Sequence, residues 1–238
     1  MKNYFLFLLL LFLFCINAMA QIVQVNDVDA VPRIINGSFN NINVSGGIQL
    51  FLSQYNDESA AVSAPTEQGK NSIKTLIENN TLKIFQEGGN WHTNHKYVKV
   101  YVAFKMLEKL QISGACKVQV VGSIRSPFFI LNITGGSNFN GGIQVNNLEM
   151  DLSGASEVKI RGSASKVSIL ATGASDIKGF GLITDTCNVK ASGASDINIS
   201  VNKEINANST GASNIYYQGE AVINKIQKSG AGTIRKKQ

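Results

Sequence analysis

The chain has 238 residues, of which 44% are hydrophobic and 16% charged, and its formal net charge is +6. That length fits one elongated domain or two small ones. The basic residues are scattered, with no aromatic-rich strip among them, which argues against a nucleic-acid binder. Three cysteines do not make a disulfide framework.

The N-terminus reads as a targeting segment. Lys2 supplies a positive start, Tyr4 to Ile16 form an almost unbroken apolar run, and Ala18-Met19-Ala20 has the small-x-small pattern of a cleavage site. A signal peptide is therefore expected over residues 1–20, leaving an exported chain over 21–238. The apolar run is short for a membrane span, which needs about 20 apolar residues. No second run follows, so no transmembrane segment is expected after cleavage. Cys15 follows Leu13-Phe14, a bulky pair unlike the small residues of a lipoprotein signal.

Residues 34–105 are β-patterned but irregular. Phe39 to Val44, Ile48 to Leu52, Ser59 to Ala64, Leu82 to Phe85 and Tyr97 to Val102 read as strands. Ser45-Gly46-Gly47 resembles a worn copy of the phrase that dominates the second half. Thr66 to Asn80 suits a short helical turn, and Glu87 to Asn94, rich in Gly and Asn, suits a loop. The terminal unit of a stacked array is atypical because it must cover an open end, and this region is read as that cap.

Residues 106–238 repeat. Ser113-Gly114-Ala115-Cys116, Thr134-Gly135-Gly136-Ser137, Ser153-Gly154-Ala155-Ser156, Thr172-Gly173-Ala174-Ser175, Ser192-Gly193-Ala194-Ser195, Thr210-Gly211-Ala212-Ser213 and Ser229-Gly230-Ala231-Gly232 follow one another, their glycines 21, 19, 19, 20, 18 and 19 residues apart. Sequence on both sides of each phrase alternates with period two. Leu148, Met150, Leu152, Gly154, Ser156, Val158 and Ile160 share one parity, and Asn147, Glu149, Asp151, Ser153, Glu157 and Lys159 share the other. Alternate residues of a strand point to opposite faces, so the first set is expected inward. A unit of this size cannot bury its own apolar face, but stacked on like neighbours it can. The expected fold is all-β: a β-helix or solenoid-like stack of about 20-residue, two-strand repeats, with the repeat glycines turned inward at a tight corner. A serine column beside them, with Cys116 as its small buried substitute, should bond its hydroxyls to one another or to turn backbone. Cys187 falls in another column, so two free thiols are expected.

The Phe39–Leu52 segment, the Tyr97–Val102 strand leading into Leu107-Glu108-Lys109-Leu110-Gln111-Ile112-Ser113-Gly114, and the serial Ser/Thr-Gly-Ala-Ser phrases together resemble the head GIN domain family of auto-transporter adhesins, common in Bacteroidetes-type bacteria. The resemblance spans roughly residues 34–218. It implies a β-helix-like fold and an envelope location, and it brings no catalytic residues. No translocator barrel is recognisable in this sequence.

Two constellations invite a chemical reading. Trp91, His92 and His95 share one loop. The pair of histidines is short of the three or four ligands that zinc takes, so the loop reads as an aromatic anchor or a sugar-stacking tryptophan. The outward column after the serines carries Lys117, Asn138, Glu157, Asp176, Asp196 and Asn214. Its three carboxylates suggest calcium or the paired acids of a glycosidase, but Lys159 and Lys178 in the next column make an ordinary solvated face the simpler reading. The basic tail of Lys225, Lys228, Arg235, Lys236 and Lys237 is read as a solvated end. There is no nucleophile elbow, phosphate-binding loop or Cys-x-x-Cys pair.

The chain is thus expected to be an exported, single-domain, non-catalytic binding or adhesion-like module. It needs no cofactor and would sit in the periplasm, on the outer-membrane surface or outside the cell. The partners considered are a glycan or an envelope or surface protein. A passive structural role and a polysaccharide-active β-helix enzyme are the alternatives.

Overall fold

A computed structural model describes residues 27–87 and 98–237. Its elements are β1 (Val31–Arg33), β2 (Asn41–Val44), β3 (Gln49–Gln54), β4 (Ser59–Ser63), α1 (Glu67–Ser72), β5 (Ile73–Glu78), β6 (Thr81–Gln86), β7 (Lys99–Phe104), β8 (Lys109–Ile112), β9 (Lys117–Ile133), β10 (Asn138–Leu152), β11 (Glu157–Ala171), β12 (Asp176–Ala191), β13 (Asp196–Gly211), β14 (Asn214–Gln218), β15 (Val222–Gly230) and β16 (Thr233–Lys236). The signal segment and the Trp91–His95 loop lie outside the described residues.

The second half is a parallel β-solenoid, and the described residues together form about seven turns. β9, β10, β11, β12 and β13 pair in parallel with their neighbours along nearly their whole length. The straight runs expected as separate strands are joined into single strands of 15 to 17 residues. Each is bent twice. One bend lies at register shifts around Gly142, Arg161 and Gly179. The other lies at consecutive outward residues such as Asn146-Asn147 and Ser165-Lys166, which reverse the inward parity. Outside the register shifts, the continuous ladder satisfies each rung's backbone groups from the rungs above and below.

The core is a set of apolar columns, one residue per turn. Val167, Cys187 and Ile205 stack in one column, and Ile169, Val189 and Ala207 in the next. All are buried. At ~25 cal/mol per Å² of apolar surface, these columns are the main source of stability, and truncating a buried Leu or Ile would cost about 2–5 kcal/mol.

The N-terminal region departs from simple order. β2 pairs in parallel with both β6 and β8. β3 likewise lies between β7 and β9. The turn made by β2 and β3 is therefore sandwiched between turns that come later in sequence. The end is closed by antiparallel strands: β4 on β7, β1 on β4, and β5 on β6. Thr66 to Asn80 holds more than a helical turn. Thr66 caps α1 by accepting from the Gly69 N–H, and β5 follows directly. Asn79 and Asn80, at φ of 47° and 61°, supply the left-handed pair that a two-residue hairpin needs.

The repeat glycines face outward, which corrects the inward placement expected from parity. Gly114, Gly135, Gly154, Gly173, Gly193, Gly211 and Gly230 are all exposed, and all have positive φ. The four-residue corner swings the glycine off the strand's alternation. Two constraints act on it: the left-handed backbone, and the turn below. A Cβ on Gly154 would lie 2.6 Å from the carbonyl oxygen of Gly135. Gly46 stacks beneath Gly114 in the same column, so Ser45-Gly46-Gly47 is a member of the corner series.

Candidate functional site

The serines beside these corners are structural. Ser137, Ser156, Ser175, Ser195 and Ser213 are almost fully buried, as is Cys116 in the same column. Ser156, Ser175, Ser195 and Ser213 each donate to the carbonyl three residues earlier, at 2.9 to 3.0 Å. The hydroxyl thus closes its own corner, and a repeated serine with a backbone partner is not poised as a nucleophile.

Cys116 and Cys187 are free and buried. Burial pushes the Cys187 thiol up to about 12 and raises Cys116 as well, against small opposing bonds from the Ile48 and Gly47 backbone. Thiolates are the reactive form, so neither thiol is suited to chemistry.

The outward column foreseen from the repeat exists in register. Lys117 lies beside Asn138, Asn138 beside Glu157, and then follow Asp176, Asp196, Asn214 and Thr233. Glu157 pairs with Lys178 at 2.6 Å and Lys159 at 3.3 Å, and Asp176 with Lys178 at 3.3 Å. Hydrogen bonds from Lys178 and then Lys159 hold the Glu157 carboxyl below its ordinary range. Asp196 accepts from the Asn214 side-chain amide at 2.7 Å. Among the described residues no group of three or more His, Cys, Asp or Glu is placed to hold a metal ion.

A second outward column runs beside the first. Phe51 lies between Tyr101 and Gln119, and the series continues through Asn140, Lys159, Lys178, Asn198, Tyr216 and Arg235. The Phe51 and Tyr101 rings are stacked, with centroids 5.1 Å apart and planes 18° apart. The Tyr101 hydroxyl donates to Asp27 at 2.7 Å, and Lys99 donates to the same carboxylate at 3.2 Å. A depression of about 250 Å³ opens next to this stack, with Phe51, Gln119, Asn138 and Asn140 among its lining residues. Sequence reasoning found the carboxylates but missed this aromatic end. Phe51 read as an ordinary strand residue, and nothing in the sequence placed it against Tyr101, 50 positions away.

A capped parallel solenoid with regular outward ladders places the chain among the stacked-repeat β proteins. The family model described as "Putative auto-transporter adhesin, head GIN domain" matches residues 38–221, and the chain belongs to this family. Its fold is similar to a "putative adhesin" from Bacteroides fragilis (TM-score 0.82, 20% identity, 87% of this chain and 97% of that one). It is also similar to a "putative lipid binding protein" from Parabacteroides distasonis (TM-score 0.69, 19% identity, 88% and 96%), and to a "putative adhesin" from Parabacteroides merdae (TM-score 0.69, 16% identity, 88% and 97%). No curated protein matches the chain.

Proposed function

We propose that this chain is an exported, non-catalytic binding module of the cell envelope, and that its working surface is the face carrying the two outward ladders. The observation that carries this reading is the pair of columns running in register from β3 to β16. They present amide, charged and aromatic side chains in an open row. Phe51 and Tyr216 stand six strand spacings apart, roughly 29 Å. Such a surface suits an extended ligand lying along the solenoid axis, and a glycan or another envelope protein is the partner class it fits.

The same face is poorly built for hydrolysis. A glycosidase needs one carboxylic acid with a raised pKa to protonate the leaving group. Glu157 is shifted the other way by its lysines, and Asp176 shares one of them. Membership in an adhesin-named family agrees with a binding role. The expected signal peptide agrees with export, and among the described residues no helix is long and apolar enough to cross a membrane.

The test is retention of the purified exported chain on a glycan array and on isolated envelope protein, with and without calcium. Retention should be weakened by Asn140→Arg or Asn198→Arg on the proposed face and unaffected by Lys166→Ala elsewhere. No retention on either support would replace this reading with a passive structural role.

A further inference from the structure

The depression beside Phe51 has the parts of a sugar-binding subsite. Tyr101 covers one face of the Phe51 ring. Because β3 lies between β7 and β9, the other face is turned to the β9 side, where Phe51 walls the depression together with Gln119, Asn138 and Asn140. We propose, resting on the binding-module reading above, that this depression seats one ring of an extended neutral glycan, stacked on Phe51 and hydrogen-bonded by the three amides.

Each element answers a chemical need. A pyranose ring carries C–H groups on one face and hydroxyls at its rim. An aromatic face takes the C–H side. A side-chain amide both donates and accepts, as a hydroxyl does, whereas a lone cation or carboxylate offers only one of these. Lys117, Lys159 and Glu157 also line the depression. Glu157 and Lys159 are paired with each other, and Glu157 with Lys178 as well, so the charges of the wall largely offset one another and the three amides favour an uncharged ring. A few placed polar groups on an apolar wall are the usual composition of a small-ligand site.

The wall is also preorganised. Tyr101 backs Phe51, and the Tyr101 hydroxyl is itself held by Asp27. Asp27 is held in turn by Lys99. A ring fixed before binding loses little freedom on binding, which favours affinity. Asp27 and Tyr101 are positioning residues here, since they act through Phe51. The subsite depends on the out-of-sequence order of turns: if β3 were not inserted between β7 and β9, Phe51 would have neither its backing ring nor the amide row before it.

The experiment is an array of neutral and acidic oligosaccharides probed with the exported chain, followed by calorimetry on the strongest neutral hit. The wild type is expected to bind neutral glycans. Phe51→Ala should weaken binding about tenfold, in line with one lost aromatic contact, and the double variant Gln119→Ala/Asn140→Ala by at least as much. Phe51→Leu keeps apolar bulk, guards against misfolding and should weaken binding nearly as far as Phe51→Ala. Lys166→Ala, on another face, should leave binding unchanged. Neutral-glycan binding that survives Phe51→Leu and the double variant overturns the subsite and leaves the binding module standing. Binding confined to acidic glycans also overturns it. A wild-type chain that retains no glycan but holds an envelope protein overturns the subsite alone, and one that retains neither overturns both.

Discussion

Gly173 sits so closely over Gly154 that a Cβ added to it would lie 2.6 Å from the Gly154 carbonyl oxygen, the same oxygen that accepts the Ala174 N–H at 2.8 Å. Gly173 also has a φ of 79°. Gly173→Ala must therefore strain the backbone and push two turns apart at their tightest point. A loss of about 2–3 kcal/mol is expected, combining the left-handed penalty with steric displacement. Gly136 is the opposite case: it has open space around its would-be Cβ, and it is absent from the positive-φ positions. Gly136→Ala should stabilise the chain by about 0.4–1 kcal/mol through the unfolded state. Urea unfolding of both variants checks the pair.

The two thiols give a second contrast. Cys116 occupies a column whose next five members, Ser137 to Ser213, are serines, and in four of them the hydroxyl meets the carbonyl three residues back. Cys116→Ser should be within about 1 kcal/mol of the wild type. Cys187 stands between Val167 and Ile205 in an apolar column, so Cys187→Ser should cost about 1–3 kcal/mol for an unpartnered hydroxyl. Both wild-type thiols should resist a thiol reagent at neutral pH until the chain unfolds.

Asp27 supplies a pH signature. The Tyr101 hydroxyl, then Lys99, Ser63 and the Asp29 backbone, overcome desolvation and lower its pKa from 3.8 to about 2. A carboxylate whose folded pKa is depressed contributes stability above its unfolded pKa and loses it as pH falls through the folded value. The stability difference between wild type and Asp27→Asn should thus be constant above about pH 5 and shrink from pH 4 toward 2. At the other extreme, burial and then Asp27 push the Tyr101 hydroxyl up to about 12, so its share is lost as pH rises past 10. Chemical denaturation of the pair across pH, compared with Tyr101→Phe, measures both.

Calcium should leave the melting temperature unchanged. Glu157 and Asp176 are engaged by Lys159 and Lys178, and Asp196 by Asn214, so binding would have to break these contacts before gaining the six to eight oxygens calcium takes. Thermal melts in calcium and in chelator should superimpose. Lys178→Ala should change stability little, since its pairs are exposed and screened by solvent. If it instead creates a calcium-dependent rise in melting temperature, the lysine is what keeps the column metal-free.

Much of the architecture was legible because a solenoid writes itself into sequence. The period-two alternation around Gly154 and Gly193, and the near-constant spacing of the corner phrase, come from identical local geometry at every turn. The column from Lys117 to Asn214 could be read by counting alone, because parallel in-register pairing maps one repeat onto the next. The counting failed at the corners. Parity placed the glycines inside, but a four-residue corner interrupts the strand, and the left-handed glycine swings outward while the serine after next returns to the core.

The sequence by itself determined the repeat, the inward columns and the charged ladder, since each depends only on spacing along the chain. Only the tertiary structure decided the order of turns at the N-terminal end. There the chain leaves β3, builds the antiparallel cover, and returns so that β7 flanks β3 on one side and β9 on the other. That crossover puts Phe51 between Tyr101 and Gln119 and creates the aromatic wall of the proposed subsite. No local pattern encodes it, because the contacts that select it join residues far apart in sequence and are settled by which strand edges remain to be covered when the end of the solenoid closes.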